Sequence, residues 1–266
     1  MNAPPDWWKD FFSGLAVSFW RAALPPEATK ADVDFLWKHL GLSPGDRVLD
    51  VPCGAGRLTL PLAERGCAMT GIDISLEFLD AAREVAAEKR LNVELVEADM
   101  RAVPTHGGFD AAFCFGNSFG YLDDSGNVEF VEAVAAALKP GGRFALDFGQ
   151  TAESVYPRLE LRQEGEMAGF RFVEETRLDP ATSRIENVFE FSKDGETERK
   201  LASQRVYLAG DVIRMLAAAG LETREIFGSI EGEPFGLSSQ RLLVVAEKPR
   251  VRKVVAEKSG GAARAR

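Results

Sequence analysis

The chain has 266 residues, of which 45% are hydrophobic and 27% charged, and its formal net charge is −9 at pH 7. This composition is typical of a soluble globular protein with one sizeable core, and no apolar run approaches the roughly 18 residues of a membrane span. Residues 248–266 carry seven basic residues and one acidic residue, so residues 1–247 carry a net charge of −15. A body that acidic repels a phosphate backbone, which disfavours nucleic acid as a partner.

Residues 7–24 are rich in aromatic side chains and are predicted to form a short helix. This helix could pack on the rest of the domain, or it could form a lid in which Trp20 lies nearest to a bound cofactor. A second helix is predicted from Glu27 to Leu40, because its apolar residues recur at helical spacing. Thr29 is a candidate cap for its start, and Gly41 ends it.

Residues 47–60 combine a short apolar strand, a turn with two glycines and the start of a helix. Gly54 and Gly56 allow positive φ and leave room for a ligand close to the backbone. The helix that opens at Arg57 presents free N–H groups to that ligand. Asp73 ends the next apolar run, where an acid can accept both hydroxyls of a ribose. The sequence therefore predicts a site for a nucleoside-containing cofactor.

The turn differs from a dinucleotide-binding turn at two positions. Thr59 stands where the third glycine of such a turn is expected. Asp50 precedes the turn, where an acid repels a pyrophosphate but attracts an ammonium group. This change of sign favours S-adenosylmethionine, whose methionine end carries an amino group and a sulfonium.

The segment from Asp50 to Gly56 resembles motif I of class I methyltransferases, and the resemblance extends over residues 45–150 and 205–247. Pro52 departs from the family pattern, which usually has its first glycine there. The family places an acid near the adenine, at the position of Asp99. The resemblance implies a Rossmann-like, doubly wound α/β fold with a mostly parallel seven-stranded sheet and an antiparallel final strand. The residues predicted to bind S-adenosylmethionine are Trp20, Asp50, Pro52, Cys53, Gly54, Gly56, Arg57, Asp73, Ile74, Asp99, Met100, Phe115, Gly116 and Asn117.

The later part of the chain contains an antiparallel β insertion. Apolar residues alternate with polar ones over residues 170–207, and turns at 179–182 and 193–195 separate three predicted strands. Helices are predicted to start at Ser75, at Asp124 or Ser125, and at Asp211. The predicted regions are an N-terminal segment (1–44), a cofactor-binding core (45–150), an insertion that caps the substrate (151–207), the end of the core (208–247) and a basic, disordered tail (248–266).

The acceptor is expected at the loop after the fourth strand, residues 115–121, because ligands bind beyond the carboxyl ends of parallel strands. The loop resembles that of small-molecule N- and O-methyltransferases. Asn117 fits substrate contact and an Asx turn equally well. A neutral amine acceptor could attack directly, whereas a hydroxyl acceptor would need Tyr121 or a nearby carboxylate as base.

Other residue types suggest no further catalytic group. His39 and His106 precede the first and fourth strands, so both are expected at the amino edge of the sheet. Asp123 and Asp124 have no accompanying histidine, so no metal is predicted. The three cysteines form no Cys-x-x-Cys pair and fit a reducing cytoplasm. Cys53 could be a packing residue or a thiol beside the cofactor.

These features favour a cytoplasmic enzyme that moves a methyl group from S-adenosylmethionine to N or O of a small or medium-sized molecule. Two alternatives remain open at this point. One is a catalytically silent subunit that binds the cofactor, and the other is a protein or RNA methyltransferase that docks its substrate on the insertion. The oligomeric state is not predicted.

Overall fold

A computed structural model describes residues 3–104 and 108–250 of the chain. The strands are β1 (Arg47–Asp50), β2 (Ala68–Asp73), β3 (Val93–Glu97), β4 (Phe109–Cys114), β5 (Leu138–Phe148), β6 (Arg162–Met167), β7 (Phe170–Asp179), β8 (Arg184–Lys193), β9 (Glu196–Arg205), β10 (Glu222–Phe227) and β11 (Leu242–Glu247). The helices are α1 (Trp8–Phe11), α2 (Leu15–Ala23), α3 (Pro26–Leu40), α4 (Thr59–Glu64), α5 (Leu76–Lys89), α6 (Asp124–Ala137), α7 (Ala152–Val155) and α8 (Ala209–Ala218), and a 3₁₀ turn follows α7 at Tyr156–Arg158.

Seven strands form one sheet in the order β10-β11-β5-β4-β1-β2-β3. Strands β1 to β5 run parallel, and β11 is antiparallel to both of its neighbours, β5 and β10. The predicted α/β class, the mostly parallel sheet and the antiparallel final strand are therefore confirmed. The chain order reverses between β1 and β4, and an open α/β sheet binds its ligands beyond the carboxyl ends of its strands at such a point.

Both faces of the seven-stranded sheet are buried. Along β4, Ala112 and Cys114 pack into the cluster that includes α6 and α8. The alternate residues Ala111 and Phe113 pack into the cluster that includes α3 and α4. Since successive side chains of a strand point to opposite faces, this alternation explains why β4 reads as a continuous apolar run.

The insertion forms a separate antiparallel sheet in the order β6-β7-β8-β9, called here the four-stranded sheet. The turns predicted between its last three strands are confirmed. The three strands predicted within residues 170–207 are β7, β8 and β9, but the sheet has a fourth strand, β6, that was not predicted from the sequence. Its sequence, RQEGEM, is polar and mostly exposed, so it carries no apolar alternation that could reveal a strand.

The N-terminal segment forms two helices rather than one, because Gly14 lies between α1 and α2 with φ of +64°. The side chain of Phe19 in α2 is buried against the four-stranded sheet, with its ring centroid 4.9 Å from that of Phe191 and 5.7 Å from that of Phe170. The segment therefore packs on the insertion, and its neighbour Trp20 remains 39% exposed.

Several predicted helix ends need correction. Helix α3 begins at Pro26, so Thr29 lies inside its first turn and does not cap it. Gly41 ends α3 in the left-handed conformation, and Ser75 caps α5, both as predicted. Helix α6 begins at Asp124, but the capping residue is Asp123, whose carboxylate accepts the Gly126 N–H at 2.7 Å.

The C-terminal part of the chain differs from its prediction at one helix end. Helix α8, the last helix of the described residues, starts at Ala209 rather than Asp211. Most of the predicted tail, residues 251–266, lies outside the described residues, as does His106. Lys248 is described, and its ammonium group donates to the carbonyls of Ala135 and Leu138. No helix within residues 3–104 and 108–250 is long and apolar enough to cross a membrane.

We expect Phe19→Ala to lower the free energy of unfolding by about 3 kcal/mol, because it opens a cavity among buried rings. Trp20→Ala should lower it by less than about 1 kcal/mol, because that side chain is partly exposed. Urea unfolding of both variants beside the wild type measures the two values. Equal losses would contradict the packing described for α2.

Candidate functional site

A cavity of about 790 Å³ opens at the carboxyl ends of β1, β2, β3 and β4. Helices α1 and α2 and the four-stranded sheet form its other walls. All the residues that the sequence predicted for the cofactor and the acceptor line this cavity, including Trp20, Asn117 and Tyr121. A volume of this size lies in the range of roughly 300–1,000 Å³ that is typical of small-molecule sites.

The two glycines of the turn after β1 have different roles. Gly54 has φ of +54°, and a Cβ placed there would meet no atom within 4 Å, so its surface faces the open cavity. Gly56 has φ of +75°, but a Cβ there would lie 3.0 Å from Leu60 and 3.2 Å from Ala82. Gly56 is therefore required for packing between α4 and α5, whereas Gly54 leaves space for a ligand. The peptide bond before Pro52 is cis.

Asp73 joins the loops that follow β1 and β2. Its carboxylate accepts the N–H of Gly54 at 2.7 Å and the N–H of Ser75 at 2.8 Å. Burial raises the pKa of Asp73, and hydrogen bonds from backbone N–H groups oppose that effect. Each carboxylate oxygen has more than one acceptor position, so the group can still accept hydrogen bonds from a ligand in the cavity.

Asp50 is a buried carboxyl at the end of β1. Burial raises its pKa to about 8, although the hydroxyl of Thr59, which donates to it at 2.5 Å, and the nearby charge of Arg57 lower the pKa. Thr59, which stands where a dinucleotide-binding turn has its third glycine, thus donates a hydrogen bond to Asp50. A positively charged group brought close to Asp50 would favour its ionised form.

A chain of ion pairs connects two loops that line the cavity. Arg57 pairs with Asp32 of α3 at 2.8 Å, and Asp32 pairs with Arg241 at 3.0 Å. Arg241 also pairs with Asp147 of β5 at 3.0 Å, and Asp147 accepts the N–H of Gly116 at 3.2 Å. These contacts connect the turn after β1 to the loop after β4 through residues that are distant in sequence.

Two predicted cofactor residues have their polar atoms engaged within the protein. Arg101 donates to both carboxylate oxygens of Asp99 at 2.8 Å and holds the pKa of that carboxyl below its usual range. Burial raises the pKa of Cys53, and a Cβ added at Gly71 would lie 2.9 Å from its sulfur. A protonated, closely packed thiol favours the packing interpretation of Cys53.

The loop after β4 is held by Asn117, which has φ of +64°. Its side-chain oxygen accepts the N–H of Gly149 at 2.8 Å, and its carbonyl accepts the side-chain N–H of Gln204 at 2.8 Å. These bonds link the loop after β4 to the loop after β5 and to strand β9, and they are not those of an Asx turn. Burial raises the pKa of Tyr121, which shares a hydrogen bond with Ser118. At neutral pH its phenol is therefore a donor and not a base.

Sequence reasoning missed the polar groups on the cap side of the cavity. These cavity-lining residues are Trp7, Gln150, Glu174, Asn187 and Gln204. Glu174 and Asn187 share a face of the four-stranded sheet with Phe172 and Phe189, and a polar residue within an aromatic alternation was the available signal. Among the described residues, Trp7 Nε1, Gln150 Oε1 and Asn187 Oδ1 are buried without a hydrogen-bond partner.

The described histidine lies outside the cavity. His39 packs between Phe35 and Phe227, and its Nδ1 lies 3.0 Å from the carboxylate of Glu225 in β10. Within the described part of the chain, no cluster of three or more His, Cys, Asp or Glu side chains could hold a metal ion.

Comparisons with known proteins agree with this architecture. A family model described as a methyltransferase domain matches residues 48–142. The cypemycin N-terminal methyltransferase of a Streptomyces species is 31% identical over 77% of this chain and 84% of its own length. A S-adenosylmethionine-dependent methyltransferase from Clostridium acetobutylicum has a TM-score of 0.76 at 19% identity, covering 87% of this chain and 95% of that one. An amino pentose methyltransferase from Micromonospora echinaspora, solved with S-adenosylmethionine bound, has a TM-score of 0.67 at 20% identity, covering 90% and 98%.

The raised pKa of Asp50 predicts how stability depends on pH in the protein without ligand. The unfolded chain loses this proton near pH 4 and the folded chain near pH 8, so ionisation favours unfolding between those values. The contribution of the protonated carboxyl to stability is complete below about pH 4 and is lost as pH rises to about 8. Asp50→Asn should therefore gain stability relative to the wild type across this range. Urea unfolding at several pH values measures this difference, and a constant difference would contradict the assignment.

Proposed function

Since the chain belongs to the class I S-adenosylmethionine-dependent methyltransferases, we propose that it methylates an N or O atom of a small or medium-sized molecule bound beneath the four-stranded sheet. The observation that carries the proposal is that one cavity extends from the turn after β1 to the face of the four-stranded sheet. This cavity thus has room for both the cofactor and an acceptor.

The residues at the strand ends fit S-adenosylmethionine. The open surface over Gly54 admits the ligand close to the backbone. Asp73 offers acceptors for ribose hydroxyls, and a positively charged amino group beside Asp50 would favour the ionised form of that buried carboxyl. When bound, the cofactor supplies a methyl group on a positively charged sulfur.

The walls of the cavity orient the reactants and exclude water. Aromatic rings of the N-terminal segment, among them those of Phe12 and Trp20, line the same cavity as the strand ends. Their faces attract a sulfonium by cation–π interaction. Holding two reactants in one orientation, rather than acid–base chemistry at a histidine or a metal, is the main contribution that we assign to the protein.

The properties of the acceptor follow from charge and from the relatives. The net charge of −15 on residues 1–247 disfavours RNA as a substrate. Relatives include a cypemycin N-terminal methyltransferase and ubiquinone biosynthesis O-methyltransferases, so both N and O acceptors are within the range of this family. Three buried cysteines without disulfides support a reducing location such as the cytoplasm.

The function is tested by incubating the protein with methyl-labelled S-adenosylmethionine and a panel of small amines, phenols and alcohols. We expect S-adenosylhomocysteine and a labelled product with at least one of them. Binding of S-adenosylhomocysteine without turnover of any acceptor, protein extracts included, would indicate the silent subunit. Turnover only with protein or RNA would contradict a small-molecule acceptor.

We expect Asp73→Ala to weaken binding of S-adenosylhomocysteine roughly tenfold or more, because ribose hydroxyls lose a charged acceptor. Asp73→Asn keeps one acceptor oxygen and should lose less. Calorimetric titration gives the affinities. Because Asp73 also accepts two backbone N–H groups, thermal melts of both variants are needed to separate folding from binding. Unchanged affinity of a folded Asp73→Ala variant would contradict the assignment.

A further inference from the structure

One wall of the cavity carries polar groups that the proposed cofactor site does not use. Glu174 of β7 and Asn187 of β8 lie on the face of the four-stranded sheet that lines the cavity. The side-chain N–H of Asn187 donates to Oε1 of Glu174 at 2.7 Å. Among the described residues, Glu174 is the one charged side chain that this sheet contributes to the lining.

Glu174 has no cation paired with it. No lysine or arginine within the described ranges forms an ion pair with its carboxylate, and burial raises its pKa. Glu174 is half-buried, and partial burial of a carboxylate without a positive partner costs free energy, which a bound cation would offset.

Aromatic rings and unpartnered polar atoms accompany this carboxylate. Trp7 is 5% exposed and lines the cavity, and its indole N–H has no partner. Its ring centroid lies 4.8 Å from that of Tyr121, and Phe189 lies on the same face of the sheet as Glu174. The side-chain oxygen of Asn187 is also buried without a partner. Buried polar atoms are rarely left unpaired in native proteins, so a ligand is expected to pair with them.

A carboxylate beside aromatic faces selects an ammonium group. The carboxylate provides the opposite charge, and the ring faces attract cations. A hydroxyl acceptor brings no charge and would leave Glu174 unpaired. The indole N–H of Trp7 and the amide oxygen of Asn187 remain to bind polar groups elsewhere on the same acceptor.

We infer, on the basis of the proposed function, that Glu174, Asn187 and Trp7 form the acceptor subsite and that the acceptor is a small molecule with an amino group on an aliphatic carbon. Glu174 binds the ammonium form of the amine through its carboxylate. A proton then passes from the ammonium nitrogen to Glu174, and the nitrogen keeps the electron pair that methylation requires. Glu174 later releases this proton to solvent.

The test measures binding to the protein saturated with S-adenosylhomocysteine, in which no turnover takes place. The probes are glucosamine, phenethylamine and trialanine, each beside its N-acetyl derivative, with glucose and phenethyl alcohol as hydroxyl counterparts. By calorimetry, glucosamine or phenethylamine should bind at least tenfold more tightly than its N-acetyl and hydroxyl counterparts.

Two variants assign the effect to the subsite. Glu174→Gln keeps an acceptor for Asn187 but removes the charge, and it should weaken binding of the amine at least tenfold. Its affinity for S-adenosylhomocysteine should stay within twofold of the wild type. The control is Glu190→Gln, which makes the same change on the opposite, exposed face of the four-stranded sheet and should alter neither affinity. Glu174→Asp serves as a second variant if the glutamine variant does not fold, and it should also weaken amine binding.

Several results would overturn the inference. These are equal affinity for an amine and its N-acetyl form, no binding of any amine, tighter binding of a hydroxyl counterpart, or unchanged amine binding in a folded Glu174→Gln variant. Binding of trialanine alone would replace the small amine with a peptide. Failure of S-adenosylhomocysteine to bind the wild type would overturn the proposed function itself, and the subsite with it.

Discussion

The carboxylate of Asp73 accepts the N–H groups of Gly54 and Ser75, so one buried charged group connects the loops at the ends of β1 and β2. Gly54 must then pass close to the end of β2 with positive φ, and Ser75 is held where it can cap α5. The helix that follows and the open surface over Gly54 depend on this arrangement. The same carboxylate that shapes the turn thus faces the space in which we place the ribose.

The rest of the site comes from segments that are far from this turn in the sequence. The ion pairs from Arg57 through Asp32 and Arg241 to Asp147 join α3, the turn and the end of β5. The N-terminal helices and the four-stranded sheet pack on each other and close the cavity from the other side. We therefore place the methyl donor at the edge of the seven-stranded sheet and the acceptor on the cap.

Local patterns in the sequence identified residues at the strand ends that the structure brings together around one cavity. The strand, the two glycines and the acid after the next strand are close in sequence, and each has a conformational or electrostatic reason to occupy its position. The cap side was predicted poorly. Strand β6 is polar and therefore shows no apolar alternation. The separation of α1 from α2 depends on the backbone conformation of one residue, Gly14. The hydrogen bond between Glu174 and Asn187 depends on the register between β7 and β8. Such a register depends on the geometry of the turn and on which face of the sheet is buried, and periodicity within one strand does not give it.

The central claim is that the cofactor occupies the strand ends and leaves the face of the four-stranded sheet free for an acceptor. A crystal structure of the protein with S-adenosylhomocysteine tests this most directly. The account predicts ribose hydroxyls within hydrogen-bond distance of Asp73, the amino acid end of the ligand near Asp50 and Gly54, and open space between its sulfur and Glu174. A ligand bound against Glu174 and Asn187, with Asp73 contacting only backbone, would contradict it.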